Sequence, residues 1–434
     1  MSGIAQVLLE MGYRVSGSDL RENKNTELLK TKGAKIFIGH SEENLRDVQV
    51  VVYSSAVYED NPELKRAKEL GIPVIPRGEM LAELTRLGES ICVSGSHGKT
   101  TTTSMIAHVF EEAGYDPTVL IGGVLHRFGS NAKLGKDRLI VCEADESDGS
   151  FLKLFPTVAV ITNIDKEHIG FYRNIEDIRE AFLKFADMVP FYGFIALNMD
   201  DENCRWVAKK TRRRVVGFGI ESDAKLKAQD LRLEDGRYRF SVLYEGERLG
   251  EVRLGVPGRH NVYNALACVA VCMEAGIPFE KISQALETFR NAERRLELKG
   301  FFRKCPVYDD YGHHPTEIRA VLKAVRELYP ERKVFLVFQP HRYSRTYHLF
   351  EEFVEVLKGA DACIITDIYP AGEENAYGVS AEELAHKAGC RFCKDKEELF
   401  DRLVDEVEEG HVLLFMGAGS ISKWCEEFLK FEYA

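Results

Sequence analysis

No apolar run in this 434-residue chain approaches the roughly twenty residues that a bilayer-spanning helix needs. The first residues show neither the basic start nor the apolar stretch of a secretory signal. Positive charge is also scarce, with 58 Lys and Arg against 69 Asp and Glu and a formal charge of −11. That balance disfavours wrapping nucleic acid, which needs clustered cations against phosphate. Any phosphate must therefore be held locally, by backbone amides and single cations. A second C-x-x-C pair is missing as well. Of ten cysteines only Cys390 and Cys393 form one, so zinc is disfavoured and two fairly buried thiols near a turn are expected. The others, such as Cys92, Cys142 and Cys268, are scattered along apparent strands and helices. Buried free thiols in a reducing compartment are distributed that way, which points to the cytoplasm, with no nucleic-acid or membrane partner. Internal repeats and low-complexity linkers are absent too.

A chain of this length exceeds what one hydrophobic core sustains, so two or three domains are expected. Over the first eighty or so residues helix and strand alternate. Ile4, Val7, Leu8 and Met11 recur at helical spacing, and Gly12 suits the position that ends such a helix. Strand-like runs follow at Tyr13–Ser16, Lys35–Ile38, Val48–Tyr53 and Ile72–Ile75, with a helix near Asn61–Leu70. A second section opens at Ile91-Cys92-Val93, continues through a helix from about Thr100 to Ala113, and holds strands at Leu139–Cys142 and Thr157–Thr162. Its continuous apolar runs fit strands buried on both faces, whereas Leu231–Leu254 alternates as an antiparallel excursion does. From about Glu297, strands near Val307–Tyr308, Val334–Phe338, Cys363–Thr366 and Val412–Phe415 alternate with helices. Ile318, Val321, Leu322, Val325 and Leu328 mark the buried stripe of one of them. The reading is α/β with three domains: Rossmann-like over 1–88, a P-loop ATPase-like parallel sheet over 89–296, and Rossmann-like over 297–434.

The chemistry concentrates at Gly95-Ser96-His97-Gly98-Lys99-Thr100. This is G-x-x-G-K-T, two residues shorter between its glycines than the common P-loop. A strand precedes it and a helix follows, as phosphate binding requires: the glycines bring backbone N–H groups close to phosphate oxygens, and the helix start adds about half a positive charge. Lys99 would reach the outer phosphates of ATP, and the Thr100 hydroxyl, beside Thr101, would hold Mg²⁺. The plainer alternative is a glycine-rich turn with a solvated lysine. Two apolar strands end in acids nearby, one at Glu143, Asp145, Glu146 and Asp148, the other at Asp165 and Glu167 with His168. Acids at the carboxyl ends of parallel strands line the crevice where ligands bind. Glu143 is assigned to Mg²⁺, with His168 as an additional ligand. In the first domain Asp19, His40 and Ser54-Ser55 also follow strands.

These segments resemble those of the Mur ligases, which build the peptide of peptidoglycan on a UDP-sugar. The short G-x-x-G-K-T loop, a Glu after the next strand and an Asn-x-Asp-x-x-His type segment carry the likeness. Further stretches are similar to the members that add L-alanine to UDP-N-acetylmuramate: Ser94–Thr103, Glu143–Asp148, Gly258–Ala265, Asp309–Glu317, Phe338–Thr346 and Gly417–Ser420. The resemblance implies ATP-driven activation of a carboxylate to an acyl phosphate and attack by the amine of L-alanine. It matches His260, Asn261 and Asn264 to the adenine, Asp310 to a ribose contact, and one arginine of the Arg294-Arg295 pair, taken as Arg295, to a cation facing the phosphates. With the UDP-sugar that the resemblance implies, Asp19, His40 and Ser54-Ser55 are candidate uridine or pyrophosphate contacts. It matches Tyr311, His313, Arg342 and Arg345 to the muramyl carboxylate and L-alanine. A monomer or homodimer is implied.

Two departures stand out. Members of the family carry a strand and a glycine-rich loop before a Met-Ser-Gly-Ile-Ala segment, and this sequence starts at that segment. The natural protein is therefore expected to begin upstream, with Met1 an internal methionine. Lys184 lies where other Mur ligases place a carbamylated lysine, and it reads here as an ordinary helix-surface residue. The alternatives weighed are a ligase that reattaches a recovered tripeptide to the same UDP-sugar, a folate-polyglutamate ligase, and a non-catalytic UDP-sugar-binding regulator.

Overall fold

The computed structural model describes residues 1–54, 56–125, 129–167 and 171–431. Its contacts divide the chain into two compact units, one of 1–165, 176–225 and 267–282, the other of 166–175, 226–266 and 283–434.

In the first unit, helix Ser2–Glu10 buries Ile4 and Val7 and ends with Gly12 at φ +92, as the spacing predicts. Two separate two-stranded parallel ladders follow: Ser16–Asp19 with Lys35–Ile38, and Val51–Tyr53 with Val74–Pro76. The first strand thus lies three residues beyond the expected Tyr13–Ser16, because Gly12 is followed by exposed residues rather than a ladder. The main sheet runs in the order Val215–Gly219, Phe194–Asn198, Val158–Ile161, Glu89–Ser94, Leu139–Glu143, Thr118–Leu125, Ser130–Lys133. All pairings are parallel except the last, an antiparallel edge. Val93 sits level with Glu143 on one side and Val160 on the other. The three loops that follow these strands therefore leave the sheet at one edge, the ligand-binding edge of such folds. Strands Phe194–Asn198 and Val215–Gly219 and the edge pair are additions to the sequence expectation.

In the second unit, Leu226–Glu234, Arg237–Tyr244 and Glu247–Pro257 form the antiparallel excursion. A six-stranded sheet has the order Glu297–Phe302, Cys305–Asp310, His411–Met416, Lys333–Phe338, Ala362–Thr366, Arg391–Cys393, parallel but for the first pair. Period-two alternation gives it two cores. Val334, Leu336 and Phe338 pack with helices Pro315–Leu328 and Phe350–Leu357, while Phe335 and Val337 pack with Lys396–Glu406 and Ile421–Phe431. Helix Pro315–Leu328 carries the expected stripe, and its start is set locally: His314 caps it, Pro315 opens it, and Glu317 completes a capping box. Asp310, Phe338 and Met416 are level across the three central strands, so their loops converge at one edge.

All ten cysteines are free thiols. Cys390 Sγ donates to the Ala388 carbonyl at 3.8 Å. Among the described residues no helix is long and apolar enough to cross a membrane.

Candidate active site

The glycine loop bridges strand Glu89–Ser94 and helix Lys99–Glu112 in the first unit. Gly95 has φ +133 and Gly98 φ +85, conformations that favour glycine. A Cβ on Gly95 would also collide with the Thr162 hydroxyl. The segment after Val158–Ile161 holds the loop in shape. The His97 N–H donates to Asn163 Oδ1 at 2.9 Å, and the His97 carbonyl accepts from Asn163 Nδ2 at 2.9 Å and Thr162 Oγ1 at 2.5 Å. Ser96 Oγ accepts the Asp165 N–H at 2.8 Å, and His97 Nε2 lies 3.2 Å from Asp165 Oδ2. Thr100 and Thr101 are buried in the first turn of the helix.

Lys99 is turned inward. Its ammonium donates to the Gly95 carbonyl at 2.6 Å, the Ser96 carbonyl at 3.1 Å and Glu146 Oε1 at 2.9 Å. The Glu146 side chain is only 2% exposed and that of Lys99 18%, so this pair is held largely out of water. Glu146 is the residue that sequence reasoning passed over. It stood among four nearby acids, and nothing in the spacing singled it out. Glu143, chosen instead, accepts the Gly122 N–H at 2.8 Å from the adjoining strand. Burial pushes Asp145 up, but Lys99, the Ser147 amide and Arg77 outweigh it and hold its carboxyl below the usual range. Thr100 and Glu143 offer a hydroxyl and a carboxylate, the kind of oxygen donor that Mg²⁺ takes, whereas Glu146 is engaged by Lys99. His168 lies outside the described residues. Lys184 is exposed on helix Ile175–Asp187.

The first-domain candidates sit at strand ends. Asp19 Oδ1 accepts the Arg21 N–H at 3.2 Å, and Ser54 Oγ accepts the Ala56 N–H at 3.4 Å. His40 Nδ1 lies 2.9 Å from Ser18 Oγ, which itself donates to Glu63 Oε2 at 2.9 Å.

In the second unit, His260 opens helix His260–Glu274, with Asn261 and Asn264 buried on its first turns. Asn264 Nδ2 donates to Asn261 Oδ1 at 2.9 Å, and Asn261 Nδ2 to the Pro257 carbonyl at 2.6 Å. Burial, then Arg295, lowers the His260 imidazole to about 4. Asp310 braces the local backbone. Its two carboxylate oxygens accept the Leu296 and Gly312 N–H groups, each at 2.7 Å, and burial raises it to about 6 against the pull of Arg295. It ties the chain around Arg294 and Arg295 to the end of strand Cys305–Asp310. The guanidinium carbons of these two arginines lie 5.0 and 5.3 Å from the centroid of the Tyr311 ring.

At the same edge His313, His341 and Arg345 come together. His313 Nδ1 faces the Tyr311 carbonyl at 3.0 Å, which leaves its Nε2 as an acceptor. Arg345 Nη1 lies 3.1 Å from His341 Nδ1, and Arg345 Nη2 lies 3.7 Å from Glu167 Oε1. Burial lowers His313 to about 4 and His341 to about 3, so both imidazoles are neutral near pH 7. Arg342, half exposed, caps the helix Tyr343–His348 at φ +71, a strained conformation for a side chain that costs roughly 1–3 kcal/mol. Arginines beside neutral imidazoles can grip a small carboxylate through paired hydrogen bonds and leave an amine unrepelled.

Comparison with known proteins adds independent findings. Residues 1–88 match the Mur ligase family catalytic domain, 93–272 the Mur ligase middle domain, and 294–419 the Mur ligase glutamate ligase domain. The chain is 64% identical over 430 residues to the UDP-N-acetylmuramate–L-alanine ligase of Aquifex aeolicus (strain VF5), covering 99% of this chain and 95% of that protein. Among solved structures, the UDP-N-acetylmuramate-alanine ligase of Thermotoga maritima is similar with a TM-score of 0.85 at 30% identity, over 100% of this chain and 96% of that one. A murein peptide ligase from Psychrobacter arcticus 273-4 shares the fold, with a TM-score of 0.75 at 22% identity, over 99% of this chain and 96% of that one.

Proposed function

This chain belongs to the Mur ligase family, and we propose that within it the chain performs the ATP-dependent joining of L-alanine to UDP-N-acetylmuramate in the cytoplasmic stage of peptidoglycan synthesis. The observation that carries this reading is the 64% identity to an L-alanine ligase across 99% of the chain. The site chemistry agrees with it.

A carboxylate oxygen of the lactyl group attacks the γ-phosphorus of ATP, the bridging P–O bond breaks, and ADP leaves. The amine of L-alanine then attacks the acyl carbon, loses a proton, and phosphate departs as the amide forms. The first step brings anions together, so catalysis is mostly electrostatic. Loop amides from Gly95 to Thr100 and the start of helix Lys99–Glu112 surround the phosphates, and Lys99 exchanges its loop carbonyls for phosphate oxygens. Thr100, Glu143 and His168 would hold Mg²⁺, which when bound neutralises phosphate charge. By resemblance, Arg295 is matched to a cation for the phosphates, His260, Asn261 and Asn264 to the adenine, and Asp310 to the ribose. Arg342 and Arg345 grip the L-alanine carboxylate. Neutral His313 offers Nε2 to its amine, and Tyr311 lines the same place. Asp19, His40 and Ser54 contact the uridine diphosphate. On this reading 1–88 binds the UDP-sugar, 89–296 binds ATP and 297–434 brings the amino acid.

Phosphate release from ATP, measured with UDP-N-acetylmuramate and either L-alanine or the recovered tripeptide, tests it. Release with L-alanine supports the reading. Release with the tripeptide alone moves the chain to the tripeptide ligase, and no release with any acceptor leaves a binding protein.

A further inference from the structure

The strained backbone of Arg342 persists only because its surroundings over-determine it, and such residues collect at ligand clamps. One side of it is fixed by the segment around Tyr369. The Arg342 N–H donates to the Tyr369 carbonyl at 2.8 Å, and the Tyr369 N–H donates to the Pro340 carbonyl at 2.8 Å. The Tyr369 ring lies parallel to the His341 imidazole, 9° apart in plane and 5.6 Å between centroids. From within its own helix, the fully buried Thr346 donates its hydroxyl to the Arg342 carbonyl at 2.8 Å.

The other side is the short helix Tyr343–His348, which carries Arg345. Glu373 reaches it from a tight turn whose N–H closes on the Pro370 carbonyl at 3.0 Å, with Ala371 at φ +49 and Gly372 at φ +86. The carboxylate accepts the Ser344 N–H at 3.0 Å and the Ser344 hydroxyl at 2.7 Å. Its Oε1 also lies 3.5 Å from Arg342 Nη1. A guanidinium carries five N–H donors, so this single long contact orients Arg342 without consuming it.

We infer that Glu373 is a positioning residue for the amino-acid substrate, holding the Arg342–Arg345 turn so that both guanidinium groups present to one carboxylate. This rests on the reading of Arg342 and Arg345 as the grip on L-alanine. A paired grip tolerates only small angular error, and the Arg342 side chain is half exposed. With its oxygens turned to Ser344, Glu373 supplies that restraint while its charge is taken up by the helix start.

Steady-state kinetics with ATP, UDP-N-acetylmuramate and L-alanine varied in turn test this on Glu373→Ala, Glu373→Gln and Arg342→Ala. Glu373→Ala should raise KM for L-alanine roughly ten- to hundredfold and leave the other two KM values within about twofold, as expected for one or two lost charge-assisted hydrogen bonds. Glu373→Gln keeps an oxygen for the Ser344 N–H and should recover most of the loss. If Arg342→Ala raises KM for L-alanine and Glu373→Ala does not, the positioning role is overturned. A fall in kcat alone, with all three KM values unchanged, overturns it too. If Arg342→Ala itself leaves that KM unchanged, the amino-acid reading fails and the positioning role with it. Should Glu373→Ala not fold, Ser344→Ala removes the hydroxyl bond alone and should raise the same KM by roughly threefold, an unchanged value counting against the proposal.

Discussion

Lys99 and Glu146 form an ion pair of 2.9 Å at the mouth of the glycine loop, with the carboxylate only 2% exposed. An ammonium has three donors, and here they meet Glu146 and two loop carbonyls, which fixes both the lysine and the loop around it. If the pair works as one unit in phosphoryl transfer, its effects should not add. Lys99→Ala should cut phosphate release roughly 10²–10³-fold, in the range for removing one transition-state donor. A Lys99→Ala, Glu146→Ala double variant should be scarcely slower than Lys99→Ala alone. Fully additive losses would separate the two residues into independent roles.

Gly95 should tolerate no side chain. Its φ of +133 is unsuited to alanine, and the added Cβ would press on the Thr162 hydroxyl and lie 3.0 Å from the Asn163 carbonyl oxygen. Those are the residues that shape the loop through His97. Gly95→Ala should therefore weaken ATP binding at least roughly tenfold, the effect of a shift in the anion-binding amides worth about 1.4 kcal/mol. Calorimetric titration with a non-hydrolysable ATP analogue measures it, and unchanged affinity would count against the loop as the phosphate cradle.

Arg342 should not be replaceable by lysine. An ammonium cannot make the two parallel hydrogen bonds of a guanidinium, so Arg342→Lys should raise KM for L-alanine roughly tenfold while leaving KM for ATP in place. Initial rates over an L-alanine series decide the matter.

Stability should fall on mild acidification. His260 and His313 are lowered to about 4 and His341 to about 3, chiefly by burial, from an ordinary 6.5. The unfolded chain therefore binds these protons first, so their contribution is full above pH 6.5 and is lost as pH falls toward 4. Asp310, raised to about 6 from 3.8, works in the opposite direction over the same window. Burial also raises Asp309 and Asp201, which oppose the imidazoles, and lowers His411, which joins them, so the imidazoles dominate the balance near pH 5. The midpoint of thermal unfolding should thus drop between pH 6.5 and 4; a level or rising midpoint would contradict the buried neutral imidazoles.

The sequence by itself determined the features written in neighbouring residues. The glycine loop between a strand and a helix, the apolar strands Val158–Ile161 and Lys333–Phe338, and the buried stripe of helix Pro315–Leu328 were legible, because turn and period are local physics. The family motifs were legible for the same reason, as contiguous strings.

Other features were decided only by tertiary structure. Of the acids at 143, 145, 146 and 148, the fold turns Glu146 toward Lys99 and Glu143 toward the Gly122 amide. No spacing rule separates them, since the strand has ended and its alternation with it. Nothing in the spacing showed that Asp310 also accepts the amides of Leu296 and Gly312. Glu373 gave no sequence signal at all; it lies 29 residues from Ser344 and meets it only because two strand-end loops converge at one sheet edge. Local sequence fixes which residues can do the chemistry, and the packing of distant loops selects which of them face one another.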